Sequence, residues 1–150
     1  VTGSDDLPPS APNVPTLLFI AYRHVENRVL AAVLAAGFQI TLAQARIFQR
    51  IGPQGTRLTE LAEQAQVTKQ TASALVDQLQ AAGYVERRPD PTDARARLVC
   101  ISPAGADAWA VAEAELQRVH QEWVAHLGPR AWADLHRSLL ALREITDPYA

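Results

Sequence analysis

The sequence is short of most residue types that would announce a special environment. It holds one cysteine, Cys100, which excludes an intramolecular disulfide framework and any zinc site built from several thiolates of one chain. It has no long hydrophobic run. The longest apolar stretch, Val29 to Phe38, is about half of the roughly 20 residues a membrane span needs, which excludes a transmembrane role. No basic segment leads into an apolar one near the start, so no secretory leader is expected and a cytoplasmic setting is. Aromatic residues make up only 6% of a chain that is 48% hydrophobic, and alanine and leucine dominate the rest, so a mostly helical protein is expected. An excess of positive charge is also missing. The formal net charge is −2, so any surface for a polyanion must be local and directional. Lysine is nearly absent: Lys69 is the single one among 14 basic residues. So strong an arginine bias follows genomic base composition as readily as phosphate chemistry. At 150 residues the chain makes one domain, or one domain with appendages.

What is present is a succession of helical stripes. Residues 1–16 carry Pro8, Pro9, Pro12 and Pro15 among small polar residues and read as a flexible, polyproline-like arm. Leu18, Ala21, Val25, Val29 and Val33 then recur at helical spacing, predicting a helix from about Thr16 to Ala36 that Gly37 ends. Thr41 and Gln44 form a capping box for a second helix, which carries Ala43, Ile47, Phe48 and Ile51 and stops at Gly52-Pro53. A short helix over Thr59–Gln64 follows. After the connector Ala65-Gln66-Val67, Thr68 is the N-cap of a helix with Ala72, Leu75, Val76 and Leu79 on one face, ended by Gly83. Tyr84–Arg88 and Arg97–Ser102 are strand-like runs on either side of Pro89–Ala96, predicting an antiparallel hairpin with a long tip. Ser102-Pro103 starts a helix of about 24 residues, and a last helix carries Trp132, Leu135, Leu139, Leu142 and Ile145.

The order helix, helix, helix, hairpin over residues 41–102 is that of a winged helix-turn-helix. The fold class expected is therefore mainly α with a small β-hairpin wing, the winged unit flanked by residues 17–40 and 103–150. With its apolar face committed to the core, the second helix of the pair offers Thr68, Lys69, Gln70, Thr71 and Ser73 at its N-terminal end. A recognition helix meets base edges there, and backbone amides favour phosphate. The hairpin adds Arg87, Arg88 and Arg97 on its strands and Arg95 at its tip, where an arginine can enter a minor groove. The plain alternative is a solvated turn in which Asp90 and Asp93 pair with these arginines. Such pairs are worth only ~0–1 kcal/mol.

The segments Leu58-Thr-Glu-Leu-Ala62, Val67-Thr-Lys-Gln-Thr-Ala-Ser-Ala-Leu-Val-Asp-Gln-Leu79, Ala82-Gly-Tyr-Val-Glu-Arg87, Asp93-Ala-Arg95 and Ile101-Ser-Pro-Ala-Gly105 together resemble the MarR family of transcriptional regulators. The resemblance covers about residues 17–147. It implies a homodimer formed by the first and last helices, with Leu18, Trp132, Leu135, Leu139 and Leu142 in the interface. It also implies binding to a pseudo-palindromic operator in double-stranded DNA through the residues above and Asp93, usually as a repressor released by a small molecule. The family's effector pocket lies between the dimer helices and the winged unit and commonly takes aromatic carboxylates or other lipophilic compounds. Tyr22, Arg23, His24 and Arg46 are its candidate polar lining, with solvent-facing positions as the alternative. Two departures bear on DNA reading: Ala74 and Ala94 stand where family members often carry arginine.

Other chemistry has little support. His24, His120, His126 and His136 sit in no nucleophile-elbow, HExxH or phosphate-loop context, so no enzyme, no catalytic residue, no metal site and no cofactor is expected. A zinc-sensing variant using histidines and acids across elements, and a peroxide sensor using Cys100, remain alternatives. For the cysteine, a small packed strand residue is the plainer reading. Trp109, Trp123 and Trp132 read as core or dimer anchors rather than ligand stackers. The rival from another class is a winged-helix module used for protein contacts.

Overall fold

Asn13 starts the first helix, its side-chain oxygen accepting from the Thr16 amide at 3.0 Å. Pro15 falls in the first turn, where the amide it lacks would have no partner anyway. The helix, α1 (Val14–Ala35), thus begins two residues earlier than its apolar stripe suggests and shortens the expected arm. The computed structural model describes residues 10–148, so most of that arm lies outside the described residues. Gly37, at φ 94°, takes the left-handed turn after the Ala36 cap.

The capping box forms as its residues require. Thr41 Oγ1 accepts from the Gln44 amide at 3.2 Å, and Gln44 Oε1 accepts from the Thr41 amide at 3.0 Å. The helix it opens, α2 (Leu42–Phe48), ends before Ile51, earlier than expected. Ile51 is buried from the turn beyond, so the apolar stripe outlasted the helix. A strand follows that the apolar pattern did not reveal, β1 (Thr56–Arg57). It leads into α3 (Leu58–Ala65), and Gln66, in the left-handed conformation at φ 55°, turns the chain into α4 (Lys69–Ala81). Thr68 Oγ1 caps α4 by accepting from the Thr71 amide at 3.0 Å.

The wing differs most from expectation. Its strands are β2 (Val85–Asp90) and β3 (Asp93–Ile101), so only Pro91 and Thr92 turn the chain. Residues expected in a long loop are strand, and the hairpin is longer and tighter. Pro89 pairs with Arg97 and Asp90 with Asp93, which leaves Ala94, Arg95 and Ala96 as a bulge on β3. Arg95 therefore stands on this bulge, not at the tip. β3 is the central strand of an antiparallel sheet ordered β1-β3-β2.

Ile47, Leu61, Val76, Leu79 and Val99 are fully buried between α2, α3, α4 and the sheet. Each contributes about 1.5–3 kcal/mol by leaving water. Cys100 is buried in β3, as a packed strand residue. Two long helices complete the chain, α5 (Pro103–Leu127), capped by Ser102, and α6 (Pro129–Thr146). α1 packs along α5, where Arg28 reaches the buried Glu115 at 2.6 Å and Glu122 at 2.9 Å. α6 packs on α5 through Trp132, which meets both Trp123 and His120 edge-on. No residue of α6 is buried, and Leu135, Leu139, Leu140, Leu142 and Ile145 are exposed along it. No described helix is long and apolar enough to cross a membrane.

Candidate nucleic-acid interface

The N-terminal turn of α4 faces solvent. Lys69, Gln70, Thr71 and Ala74 are exposed, and Ser73 is half-buried. The two threonine hydroxyls are already engaged, because Thr68 Oγ1 donates to Thr71 Oγ1 at 2.9 Å while capping the helix. Lys69 and Gln70 make no side-chain hydrogen bond or ion pair among the described residues. The helix is held from behind, where Gln44 Nε2 donates to Gln78 Oε1 at 2.9 Å and ties α2 to α4.

The arginines of the wing divide into two sets. Arg87 donates to Asp77 at 2.7 Å and to Gln80, which fastens β2 to the side of α4. Arg88 pairs with Glu86 on its own strand. Arg57, which did not stand out in the sequence, reaches from β1 to Asp90 at 2.6 Å. The other carboxylate oxygen of Asp90 accepts from the Thr92 amide at 2.8 Å and hydroxyl at 2.7 Å. These bonds, those from Thr92 foremost, hold the Asp90 carboxyl down at about 2. Asp93 accepts from the Arg95 amide at 3.0 Å and so shapes the bulge. Arg95 and Arg97 remain exposed with no anion on their guanidinium groups among the described residues.

The acids of the turn therefore pair with Arg57, not with the arginines beyond them. The solvated-turn alternative required the reverse.

A cavity of about 180 Å³ lies between α1, α2 and α5, walled by Val25, Val29, Leu30, Val33, Ile40, Phe48, Trp109 and Leu116. Of the four residues expected to line an effector pocket, Tyr22 and Arg46 do so. Arg23 lies over the Phe19 ring at 5.5 Å and His24 stacks on Trp123 at 6.5 Å, and neither lines the cavity. Successive residues on a helix differ by about 100° in direction, which a stripe-based guess does not resolve. The residues missed are Glu26, Gln49 and Glu113. Arg46 clasps Glu26 with two bonds, at 2.7 and 3.0 Å, and Tyr22 donates to the same carboxylate at 3.3 Å. Arg46 holds the Glu26 carboxyl below its ordinary range. Trp109 packs against Phe48 at 5.9 Å on the cavity wall, so it is not only an anchor between helices. Among the described residues no group of three or more histidine, cysteine or acidic side chains comes together as a metal site.

A helix pair at this spacing, backed by a three-stranded wing and flanked by long helices, defines a winged helix-turn-helix protein. Residues 38–96 match the model of the MarR family. Among solved structures, a transcriptional regulator from Thermotoga maritima is 25% identical, with a TM-score of 0.62 over 89% of this chain and 93% of that one. Wild-type MarR from E. coli in its apo form is 23% identical, with a TM-score of 0.69 over 89% of this chain and 98% of that one. A MarR-family regulator from Silicibacter pomeroyi is 20% identical, with a TM-score of 0.69 over 90% of each chain. No curated protein matches the chain. The winged unit thus resembles the MarR family over residues 38–96, and the chain as a whole has the fold of the MarR transcriptional regulators.

Proposed function

We propose that this chain is a dimeric, DNA-binding transcriptional repressor released by a small lipophilic effector. The observation that carries the DNA half is the division of the cations. Arg57, Arg87 and Arg88 are tied to acids within the fold, whereas Lys69 on α4 and Arg95 and Arg97 on β3 are exposed and unpaired among the described residues. Uncommitted cations on a recognition helix and its wing are what phosphate contacts need, and the net charge of −2 is no obstacle when they are concentrated there. In this reading Gln70 and the Lys69 end of α4 enter the major groove, Thr68, Thr71 and Ser73 set the helix end against the backbone, and the Arg95 bulge meets the neighbouring groove. Asp93 acts through the shape of the bulge, Arg87 acts by holding the wing to α4, and Arg88 is paired with Glu86 along β2.

Dimerisation is supported by the apolar surface left open at the ends of the chain. Leu17, Leu18 and Phe19 on α1 and Leu135, Leu139 and Leu142 on α6 are exposed, and apolar surface of this kind marks a contact site. A two-fold pair would place two recognition helices on half-sites about 34 Å apart, matching a pseudo-palindromic operator. The effector half rests on the cavity. It lies where α1 joins the winged unit, beneath the Arg46–Glu26 clasp, so a ligand that binds one α1–α2 arrangement better changes the separation of the recognition helices.

The test is a salt series of anisotropy titrations with DNA flanking the protein's own gene and a scrambled control. The reading expects a preference for the flanking DNA and an affinity that falls steeply with salt. Equal and salt-independent weak binding to both would leave the winged unit as a protein-contact module.

A further inference from the structure

From the charges around the cavity we infer that its preferred ligand is a lipophilic monocation, an ammonium on an aromatic body, rather than an aromatic carboxylate. This deepens, and rests on, the reading of the cavity as the effector site. Three charged side chains line it, the carboxylates Glu26 and Glu113 and the guanidinium Arg46. Arg46 is the one cation among them, and both oxygens of Glu26 clasp its Nε–Nη2 edge, so its charge is already matched. With two carboxylates against one guanidinium the lining is net negative, and a carboxylate ligand would stand beside Glu26, whose side chain is only 11% exposed, with only an already paired cation to meet it. Glu113, in contrast, is exposed on α5 and among the described residues is bonded to the neutral Gln117 amide at 2.8 Å and paired with no cation. It stands one helical turn from Trp109, whose indole and the Phe48 ring form the aromatic wall. Anion at the mouth and ring faces behind it are the two features that recognise an alkylammonium group. Apart from Tyr22 and Gln49, the remaining lining is aliphatic. An apolar cavity of ~150 Å³ accepts a benzene ring, so about 180 Å³ suits one ring carrying a compact head.

Three probes of one shape class separate the possibilities: benzyltrimethylammonium, its uncharged carbon isostere neopentylbenzene, and benzoate. Calorimetric titration of the full-length protein should give the ammonium about tenfold tighter binding than either of the others. Glu113→Gln should weaken the ammonium about threefold to tenfold and leave neopentylbenzene unchanged, whereas Asp107→Asn, which removes an exposed charge elsewhere on α5, should leave both unchanged. The same ammonium should lower affinity for the flanking DNA. If benzoate or neopentylbenzene binds as tightly as the ammonium, the cation assignment fails while the effector cavity stands. Equal responses of the two variants also overturn it, since the selectivity would then come from net charge and not from Glu113. If none of the three binds, the effector reading of the cavity falls with it.

Discussion

Asp90 and Arg57 join the turn of the wing to the strand that precedes α3, with Arg57 Nη2 2.6 Å from the carboxylate. Because Asp90 also accepts both donors of Thr92, one carboxylate closes the hairpin turn and fixes its direction relative to the helix pair. The carboxyl is held at about 2, against an ordinary 3.8. Its folded value is depressed, so its contribution to stability is complete above pH ~4 and is lost as pH falls toward ~2. Thermal unfolding of the wild type and Asp90→Asn across that range should show a constant gap near neutrality that closes between pH ~4 and ~2. A gap that does not change with pH would place the stabilisation elsewhere.

The start of α5 is a second point where one residue decides the geometry. Ser102 accepts from the Gly105 amide at 3.1 Å and donates to the Gly83 carbonyl at 2.5 Å, drawing the helix against the entry to the wing. A Cβ on Gly105 would lie 2.1 Å from the Tyr84 carbonyl oxygen. Backbone cannot give way there as a flexible side chain would, so Gly105→Ala should cost at least the ~1–3 kcal/mol of an overpacked core. Urea unfolding measures it. A loss below ~0.5 kcal/mol, the range of ordinary surface substitutions, would mean that this junction is not close-packed.

How much of this was legible depended on whether the signal was local. Caps at Thr41, Thr68 and Ser102 act on amides three residues away, and each forms as its sequence indicates. The left-handed Gln66 and the helices on either side fall where the connector Ala65-Gln66-Val67 stands. The wing tip was not legible in this way, because strand pairing is set across the hairpin and a Pro/Asp-rich run reads as a loop until its partner is known. Thr56–Arg57 is a strand only because β3 offers a free edge. For the same reason Arg57 went unnoticed: its partner lies 33 residues away. In the cavity, Tyr22 and Arg46 were found from helix position, whereas Glu26 and Glu113 required knowing which faces of α1 and α5 meet.

Dimer formation should depend on α6, whose leucines the described residues leave partly exposed. Leu139→Arg places a charge in the centre of that stripe without touching the winged unit. In sedimentation at micromolar concentration it is expected to yield monomer or soluble aggregate with its helical content retained, and to lose tight binding to a two-half-site DNA. A variant that sediments as an intact dimer would remove α6 from the interface.

The central claim is that α4 reads bases while the wing supplies charge, and paired salt titrations of Gln70→Ala and Arg95→Ala on the flanking and scrambled DNA test it most directly. Gln70 can pair with adenine through two hydrogen bonds, so its loss should cost roughly 1–3 kcal/mol on the specific DNA and leave scrambled binding and the salt slope nearly unchanged. Arg95 is exposed and its guanidinium has no ion-pair partner among the described residues, so its loss should weaken binding to both DNAs and lower the salt slope by about one charge per subunit. Parallel losses from both variants on both DNAs, or no loss from either, would contradict the account.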